Sequence, residues 1–396
     1  MDMKTSTVEN PDSSPGAILC VVGARPNFMK IAPIIRAFRS GPDPIHTHLV
    51  HTGQHYDAEM NDAFFTQLQI PQPDIELEVG SASHAVQTAE IMRRFEAVVD
   101  AESPRAVLVV GDVNSTIACA LVAAKKDIPV IHVEAGLRSF DRAMPEEINR
   151  VLTDQISTLL FITEPAARNN LLREGLADDQ IHFVGNVMID TLKHCLEKAV
   201  PAAVTLADVP GNECFLKGDS GYCVLTLHRP SNVDEPALLR NILETVRTVS
   251  ESMPVVFPLH PRTRNRVAEL GLQDMLESDR IACLQPLGYL EMLGLVSGAR
   301  LVMTDSGGLQ EETTVVGVPC ITLRNNTERP VTVDQGTNTI VGQDRAQILA
   351  AVNDVLESGG KRGRVPELWD GKAAERIKRV LNDWLQQHQA QRVAAG

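Results

Sequence analysis

No two of the 26 glycines stand two positions apart, so the chain has no G-x-G pair and cannot carry the dinucleotide fingerprint G-x-G-x-x-G. The P-loop pattern is missing as well, which speaks against ATP hydrolysis on a Walker loop. The seven cysteines (Cys20, Cys119, Cys195, Cys214, Cys223, Cys283, Cys320) never form C-x-x-C, are odd in number and lie mostly in apolar runs. They are expected to be reduced, buried thiols of a cytoplasmic protein. No apolar run approaches the roughly 18 residues that span a bilayer, and the opening MDMKTSTVENPDSSPG is polar and acidic where a signal peptide is basic and then apolar. There is no long basic stretch either: 37 Lys and Arg against 51 Asp and Glu leave a net charge of −14, with the two signs interspersed. That balance argues against nucleic acid and membrane surfaces as partners, and any phosphate must meet a local site.

What is present is α/β patterning. At 396 residues and 43% hydrophobic, the chain is long enough for two domains with sizeable cores. Short Val/Ile/Leu-rich runs alternate with longer amphipathic ones, the pattern of parallel sheets covered by helices on both faces. Strands are expected at 17–22, 45–51, 106–110, 129–133, 159–162 and 181–184. After a polar stretch at 201–220 a second series is expected at 222–227, 255–259, 281–284, 300–304, 319–323 and 339–341. The run 372–387 has apolar residues at helical spacing (Ile377, Val380, Leu381, Trp384, Leu385).

Open parallel sheets bind ligands beyond the carboxyl ends of their strands, and chemistry-bearing residues stand at several of those ends. Gly23-Ala24-Arg25-Pro26-Asn27-Phe28-Met29-Lys30 follows the first strand and opens a helix, where free N–H groups and two cations suit a phosphate; a turn glycine with two solvated cations reads equally well. Asp112 and Glu134 each follow a strand, Asp112 with the alternative of a helix N-cap. Glu146 and Arg150 stand four apart at a helix start, where an i,i+4 ion pair is the plain reading. His228-Arg229 and His260-Pro261-Arg262 each follow a strand of the second series, an arrangement suited to holding and protonating a phosphate leaving group. Thr304-Asp305-Ser306-Gly307-Gly308 leads into a helix carrying Glu311 and Glu312 in its first turn. There the serine caps the helix or donates to a diphosphate, and the acids grip ribose hydroxyls or favour the helix dipole. His46, His48, His51 and His55 crowd together without converging ligands, so no metal is expected.

Taken in order, these segments resemble the non-hydrolysing UDP-N-acetylglucosamine 2-epimerase family over residues 18–385. The matches are Gly23-Ala24-Arg25-Pro26 with Lys30, Thr52-Gly53-Gln54-His55, Gly111-Asp112, His132-Val133-Glu134-Ala135-Gly136-Leu137-Arg138, Pro145-Glu146-Glu147 with Asn149-Arg150, Thr304 to Gly308 with Gln310-Glu311-Glu312, and Thr327-Glu328-Arg329-Pro330. The resemblance implies two Rossmann-like, doubly wound domains of the glycosyltransferase-B type with the active site in the cleft between them, in a homodimer. The first domain is expected at 17–186, joined by the C-terminal helix 372–387, and the second, UDP-binding domain at 187–371. By the same resemblance Asp112, Glu134, Glu146 and His228 match catalytic positions. Arg25, Lys30, His260, Ser306, Gly307, Gly308, Glu312 and Arg329 match nucleotide-binding ones, and Arg150 supports the sugar site.

The implied reaction inverts carbon 2 of a UDP-sugar by eliminating UDP to 2-acetamidoglucal and adding it back, with no cofactor. Gln54 and His55 match positions near which some members bind a second UDP-GlcNAc as activator, although Asp57 stands where an amide is expected. Arg229 is followed by Pro230-Ser231-Asn232 where relatives often have Glu two residues on. Rival activities on the same fold are epimerisation of UDP-2,3-diacetamido-glucuronic acid, hydrolytic release of N-acetylmannosamine, and glycosyl transfer.

Overall fold

The computed structural model describes residues 16–41, 43–54 and 67–395. Among them are two wholly parallel sheets. The first contains β1 (Ile18–Val22), β2 (Thr47–His51), β3 (Ile75–Glu76), β4 (Ala106–Val110), β5 (Val130–Ala135), β6 (Leu159–Ile162) and β7 (Ile181–Phe183), in the order β3-β2-β1-β4-β5-β6-β7. The second contains β8 (Cys223–Thr226), β9 (Val255–Pro258), β10 (Ile281–Leu284), β11 (Leu301–Thr304), β12 (Cys320–Thr322) and β13 (Asn338–Ile340), in the order β10-β9-β8-β11-β12-β13.

Strands covered on both faces need apolar side chains throughout, and β1 (ILCVV) and β4 (AVLVV) are buried at every position. Alternate residues serve opposite layers. Ile18, Cys20 and Val22 pack with Ile31, Ile34 and Phe38 of the helix Arg25–Arg39, while Leu19 and Val21 pack with Ile91, Phe95 and Val99 of the helix His84–Glu102. In the second sheet Cys223 and Leu225 face one layer and Val224 the other.

Both sheets place a topological switch point beside the candidate loops. In the first, β1 lies between β2 and β4, so the Gly23 and Gly111 loops open side by side. In the second, β8 lies between β9 and β11, which sets the His228 loop beside the Asp305-Ser306-Gly307 loop.

The structure differs from the expected elements in several places. The two-residue β3 has too little chain to show a period. The polar stretch 201–220 contains two short helices, Ala202–Thr205 and Glu213–Leu216, and buries Leu206 and Phe215. The C-terminal helix runs on to Ala395. The thiols are free, but Cys283 is exposed and Cys214 only half-buried, so the expectation of uniformly buried cysteines fails at those two. His48 pairs with Glu102 at 2.8 Å. Among the described residues no helix is long and apolar enough to cross a membrane.

The chain end packs on the first sheet's layer: Ala373, Ile377, Leu381 and Leu385 join the cluster that contains Ile31 and Ile34. The helix Val187–Leu196 contributes Val187, Met188 and Leu192 to that cluster, which also takes Tyr289 and Leu293 from the second half. Asp190 on this helix accepts hydrogen bonds from Ala373 N (3.1 Å) and Ala374 N (2.8 Å), capping the C-terminal helix at its positive end. Burial nevertheless pushes its carboxyl up to about 6. Replacing Asp190 with Ala should cost about 1–2 kcal/mol and speed tryptic cleavage after Arg376, Lys378 and Arg379; unchanged cleavage kinetics would mean that the cap does not hold the helix down.

Candidate active site

Glycine is needed at two turns because of what crowds them. A Cβ on Gly23 would stand 2.0 Å from Ser115 Oγ and 2.6 Å from Thr52 Oγ1. Gly111 has φ +68°, and a Cβ there would lie 2.7 Å from Lys30 Nζ. Between these turns Asn27 accepts from Gly23 N and Ala24 N at 3.1 Å each and donates to Val110 O at 2.9 Å. Lys30, one turn further on, is buried and pairs with Glu134, so reading it as a solvated cation does not hold. The Arg25 side chain lies outside what is described.

Glu134 is aimed by its backbone. The pairing of β5 with β6 shifts register between Val133 and Ala135, and Glu134 itself takes φ +75°, the left-handed region that a non-glycine residue rarely occupies. One carboxylate oxygen faces Lys30 and the other meets Arg329 Nη2, which arrives from the second half of the chain after β12. Arg329 also stands 2.8 Å from Glu311 through Nε and 3.3 Å from Glu328 through Nη1. Burial opposes its charge, but Glu311, Glu134 and Glu328 outweigh that and hold its proton more tightly than usual. Glu328 pairs with Arg324 at 2.8 Å; burial alone would raise it, yet Arg329 and Arg324 hold its carboxyl far below the usual range.

Asp112 follows β4 but does not cap the next helix, Asn114–Lys125, whose cap residue is Val113. Its carboxylate pairs with Arg150, and although burial would raise it, Arg150, Lys30 and Arg329 together hold it below the usual carboxylate range. Arg150 is shared with Glu147 at 2.7 Å, so the expected Glu146–Arg150 pair is replaced by an i,i+3 pair one residue along. Glu147 is itself fixed by donation from Ser139 N and Phe140 N at 2.9 Å each. Glu146 turns instead toward Arg229, with 3.9 Å between the charged atoms. Behind Asp112, buried His132 lies 2.8 Å from Gly111 O and 2.6 Å from Asp154, which also meets Arg138 at 2.7 Å.

On the other side, His228 is partly exposed and its Nδ1 lies 2.8 Å from Asp305 Oδ1. Asp305 is fully buried and also accepts from His228 N (3.0 Å), Arg229 N (2.9 Å) and Asn232 Nδ2 (3.1 Å). Burial would raise its carboxyl, but these donors and the imidazole pull it down. With Nδ1 so engaged, Nε2 is the ring atom left to face the cleft. His260 is exposed with its ring 5.6 Å from that of His228, and its Nδ1 accepts from Arg262 N at 3.2 Å.

Ser306 occupies the cap position of the helix Gly307–Val316 without a side-chain capping bond, which corrects the capping alternative. A Cβ on Gly307 would lie 2.7 Å from Glu328 Oε1, and Gly308 sits beside Met188. Glu311 and Glu312 are both buried, so neither merely decorates an exposed dipole. Burial pushes Glu312 up to about 8, with Tyr289 opposing and Glu311 adding.

Gln54 is buried and accepts from Ser115 N (3.0 Å) and Ser115 Oγ (2.7 Å), a bracing role inside the first half; His55 lies outside the described residues. A cavity of about 450 Å³ between the halves is lined by Met144, Glu146, Arg229, Ser231, Arg324 and Asn326, among others. Arg229 Nε and Arg324 Nη1 are buried N–H groups there with no hydrogen-bond partner among the described residues.

Asp305, Glu328, Glu147 and the His132–Asp154 pair are not among the expected site residues, and Glu311, expected to grip ribose hydroxyls or favour the helix dipole, instead lies 2.8 Å from Arg329 Nε. Asp305 had a signal, since adjacency of β8 and β11 at a switch point brings a carboxylate after one strand to the imidazole after the other.

The family model described as UDP-N-acetylglucosamine 2-epimerase matches residues 40–382. The chain is 44% identical over 364 residues to the UDP-N-acetylglucosamine 2-epimerase of Methanocaldococcus jannaschii, covering 91% of this chain and 97% of that protein. It is 41% identical over 342 residues to the UDP-2,3-diacetamido-2,3-dideoxy-D-glucuronate 2-epimerase of Pseudomonas aeruginosa, covering 86% and 92% respectively. A crystal structure of the M. jannaschii UDP-GlcNAc 2-epimerase in complex with UDP-GlcNAc and UDP matches with a TM-score of 0.82 at 43% identity, over 92% of this chain and 99% of that one.

Glu312 supplies a pH test of the site. Its folded carboxyl keeps a proton that the unfolded chain releases near pH 4.5, so stability should fall as pH rises from there toward 8, at most by about 1.4 kcal/mol per pH unit. Glu312→Gln should flatten that slope, gaining on the wild type between pH 5 and pH 8 in urea unfolding. An equal difference at every pH would remove Glu312 as the source.

Proposed function

The chain belongs to the UDP-N-acetylglucosamine 2-epimerase family, and we propose on that footing that it interconverts UDP-N-acetylglucosamine and UDP-N-acetylmannosamine without hydrolysing them. The chemistry sets the requirements. Carbon 2 adjoins an acetal and no carbonyl, so its proton is barely acidic and leaves only as UDP departs. In the anti elimination the C2–H and C1–O bonds break, the C1–C2 double bond forms, and a carboxylate takes the proton. The diphosphate takes the electron pair of the C1–O bond. Protonation of carbon 2 on the opposite face and return of UDP to carbon 1 complete the inversion. Acids near both carbons, cations near the diphosphate and a closed cleft are what such a route needs.

The observation that carries this reading is the junction of Glu134 with Arg329, where the acidic loops of the first sheet meet the basic groups of the second. Asp112, Glu134 and Glu146 would divide the acid, base and cation-stabilising duties, with Arg150 holding Asp112 in place. His228, oriented by Asp305, would assist the departing diphosphate. The UDP would rest on the Ser306-Gly307-Gly308 helix start with Arg25, Lys30, His260, Glu312 and Arg329 around it. The guanidinium groups of Arg229 and Arg324 on the wall of the adjoining cavity favour an anionic, oxygen-rich ligand there. A lobe division at 186 and 371 and a cytoplasmic location belong to the same reading. Likeness to an epimerase of a diacetamido-glucuronate supports a second reading, the same chemistry on that sugar.

Incubation with UDP-GlcNAc in deuterated water, without cofactor or acceptor, should yield UDP-N-acetylmannosamine labelled at carbon 2 by NMR. Free N-acetylmannosamine would point to the hydrolytic variant, and absence of any labelling would exclude UDP-GlcNAc as substrate. Glu134→Gln should slow exchange at carbon 2 by about 10²–10⁴-fold, and wild-type exchange in that variant would remove Glu134 from the mechanism.

A homodimer is part of the proposal, supported by the exposed apolar side chains of Phe140, Ile148 and Leu152, two of them one turn apart on the helix Pro145–Gln155. Light scattering should give twice the chain mass, and Ile148→Asp with Leu152→Asp should halve it. A monomeric wild type would refute the dimer.

A further inference from the structure

The proposed chemistry gives no part to His132 and Asp154, two titratable side chains that are fully buried in the first half. Polar groups taken out of water need hydrogen bonds to offset the lost hydration, and this pair has them. From β5, His132 places Nδ1 2.6 Å from Asp154 Oδ1 and Nε2 2.8 Å from Gly111 O. A carbonyl oxygen only accepts, so Nε2 carries hydrogen. On the other side Asp154 Oδ2 accepts from Arg138 Nη2 at 2.7 Å and from Gly136 N at 3.1 Å. Burial would raise the Asp154 carboxyl, but His132 and Arg138 hold it below the usual range, and it too only accepts. Both ring nitrogens therefore donate, one to the helix Pro145–Gln155 and one to the turn after β4.

That turn delivers Asp112. Three successive carbonyls in it are each taken by side chains: Val110 O by Asn27 Nδ2 (2.9 Å) and Thr116 Oγ1 (3.1 Å), Gly111 O by His132, and Asp112 O by Asn149 Nδ2 (2.9 Å). The donors come from three helices and from the neighbouring strand β5. A peptide unit is planar, so the plane that ends in Gly111 O also carries Asp112 N and sets the direction from which the Asp112 side chain departs. Glycine rotates at little steric cost, and a peptide beside it turns over unless its oxygen is held. The same turn supports Lys30, since a Cβ on Gly111 would stand 2.7 Å from Lys30 Nζ. Arg150 anchors the Asp112 carboxylate, but the backbone behind that carboxylate is held by His132 and Asn149.

We infer that His132 is a positioning residue: its Nε2–H, aligned by Asp154 on the opposite ring nitrogen, clasps the Gly111 carbonyl and so fixes Asp112 and the floor beneath Lys30 at the reacting centre. The kinetic consequence rests on the proposed epimerisation; the clasp on Gly111 does not.

Two substitutions separate the two ends of the ring. An asparagine amide nitrogen falls near the place of Nδ1, and a glutamine amide nitrogen near that of Nε2. His132→Asn keeps a donor for Asp154 and loses the one for Gly111 O; kcat for exchange at carbon 2 should fall by about 10–100-fold while KM for UDP-GlcNAc stays within about threefold. His132→Gln keeps the donor for Gly111 O and takes one from the charged Asp154. It should hold kcat within about fivefold of wild type and yet unfold at a lower urea concentration than His132→Asn. A purely structural histidine would instead make the two losses run together. A further readout needs no substitution: nitrogen-15 NMR of the histidine-labelled wild type should show both His132 ring nitrogens as N–H, with Nε2–H protected from solvent exchange. The inference is overturned by a kcat in His132→Asn within about twofold of wild type, by a rise in KM alone, or by glutamine doing no better than asparagine. It is overturned equally by losses of kcat that follow the urea midpoints, or by a bare nitrogen at Nε2. Should neither variant fold, the wild-type spectrum decides, a protected Nε2–H upholding the clasp and a bare Nε2 refuting it. A wild type that exchanges no deuterium at carbon 2 sinks the proposed epimerisation at its own control; the nitrogen spectrum then decides the clasp by itself.

Discussion

The contact between Glu134 and Arg329 is what makes the two sheets one site. It joins residues 195 positions apart and belongs to a largely buried cluster in which Lys30, Arg150, Arg324 and Arg329 face Glu134, Glu147, Glu311, Glu328 and the partly exposed Asp112. Taking nine charges out of water is expensive, and a buried pair often stabilises a fold no better than apolar residues of the same size. Removing one partner from such a cluster is a different matter, costing about 3–5 kcal/mol because the other charge is left unmatched. Stability alone is thus a poor reason for the cluster, whereas fixed placement of carboxylates at a reacting centre is a good one. The cluster's cations are already committed to carboxylates. In the proposed reaction the charge of the diphosphate therefore falls largely on groups at its margin: Arg229, the His228–Asp305 pair and the start of the helix at Gly307.

Backbone geometry holds the cluster as much as charge does. Glu134 sits in a left-handed conformation at a register shift, and strain of this kind survives only where the surroundings enforce it. Lys30 and Arg329 enforce it from two directions. Gly111 allows the chain to pass beneath Lys30 without a side chain in the way, and His132 fixes the carbonyl of Gly111. A side chain at Gly111 would displace the lysine, and Glu134 would lose the partner that keeps it turned inward.

The strands were legible because most are covered on both faces, so the runs at 106–110 and 159–162 are apolar from end to end and match their observed bounds, as does 281–284 although Cys283 on that edge strand is exposed. The two-residue β3 was not, since it is too short for any pattern. At the site, the sequence placed carboxylates and basic groups at strand ends correctly but misjudged their partners. Glu146 and Glu147 are adjacent on one helix, and only the direction in which that helix docks decides which of them reaches Arg150. Lys30 looked like a surface cation because the glutamate that draws it inward lies 104 residues away in the chain. Asp305 was hidden in its own glycine-rich turn, where it reads as part of a phosphate loop until β8 and β11 are seen side by side. Long-range pairing depends on strand order, which spacing along one chain does not contain.

The path of the chain then suggests why the cluster straddles the halves. In the proposed division at 186 and 371 the chain leaves the first lobe near Asn186 and returns near Trp369, whose indole N–H donates to Thr163 O at 3.0 Å before the last helix docks under the Asp190 cap. Two crossings close together behave as a hinge. Any opening about that line changes little beside it, where Asn186 meets Glu311 and Glu311 meets Arg329, and more at a distance from it, at Glu146–Arg229. An open cleft would thus part Glu146 from Arg229 and let water reach the sugar while Glu134 keeps both Lys30 and Arg329, whereas closure brings Glu146 back to Arg229 and excludes water in one movement. Coupling of that kind keeps a glycal intermediate enclosed during the interval in which its diphosphate is detached.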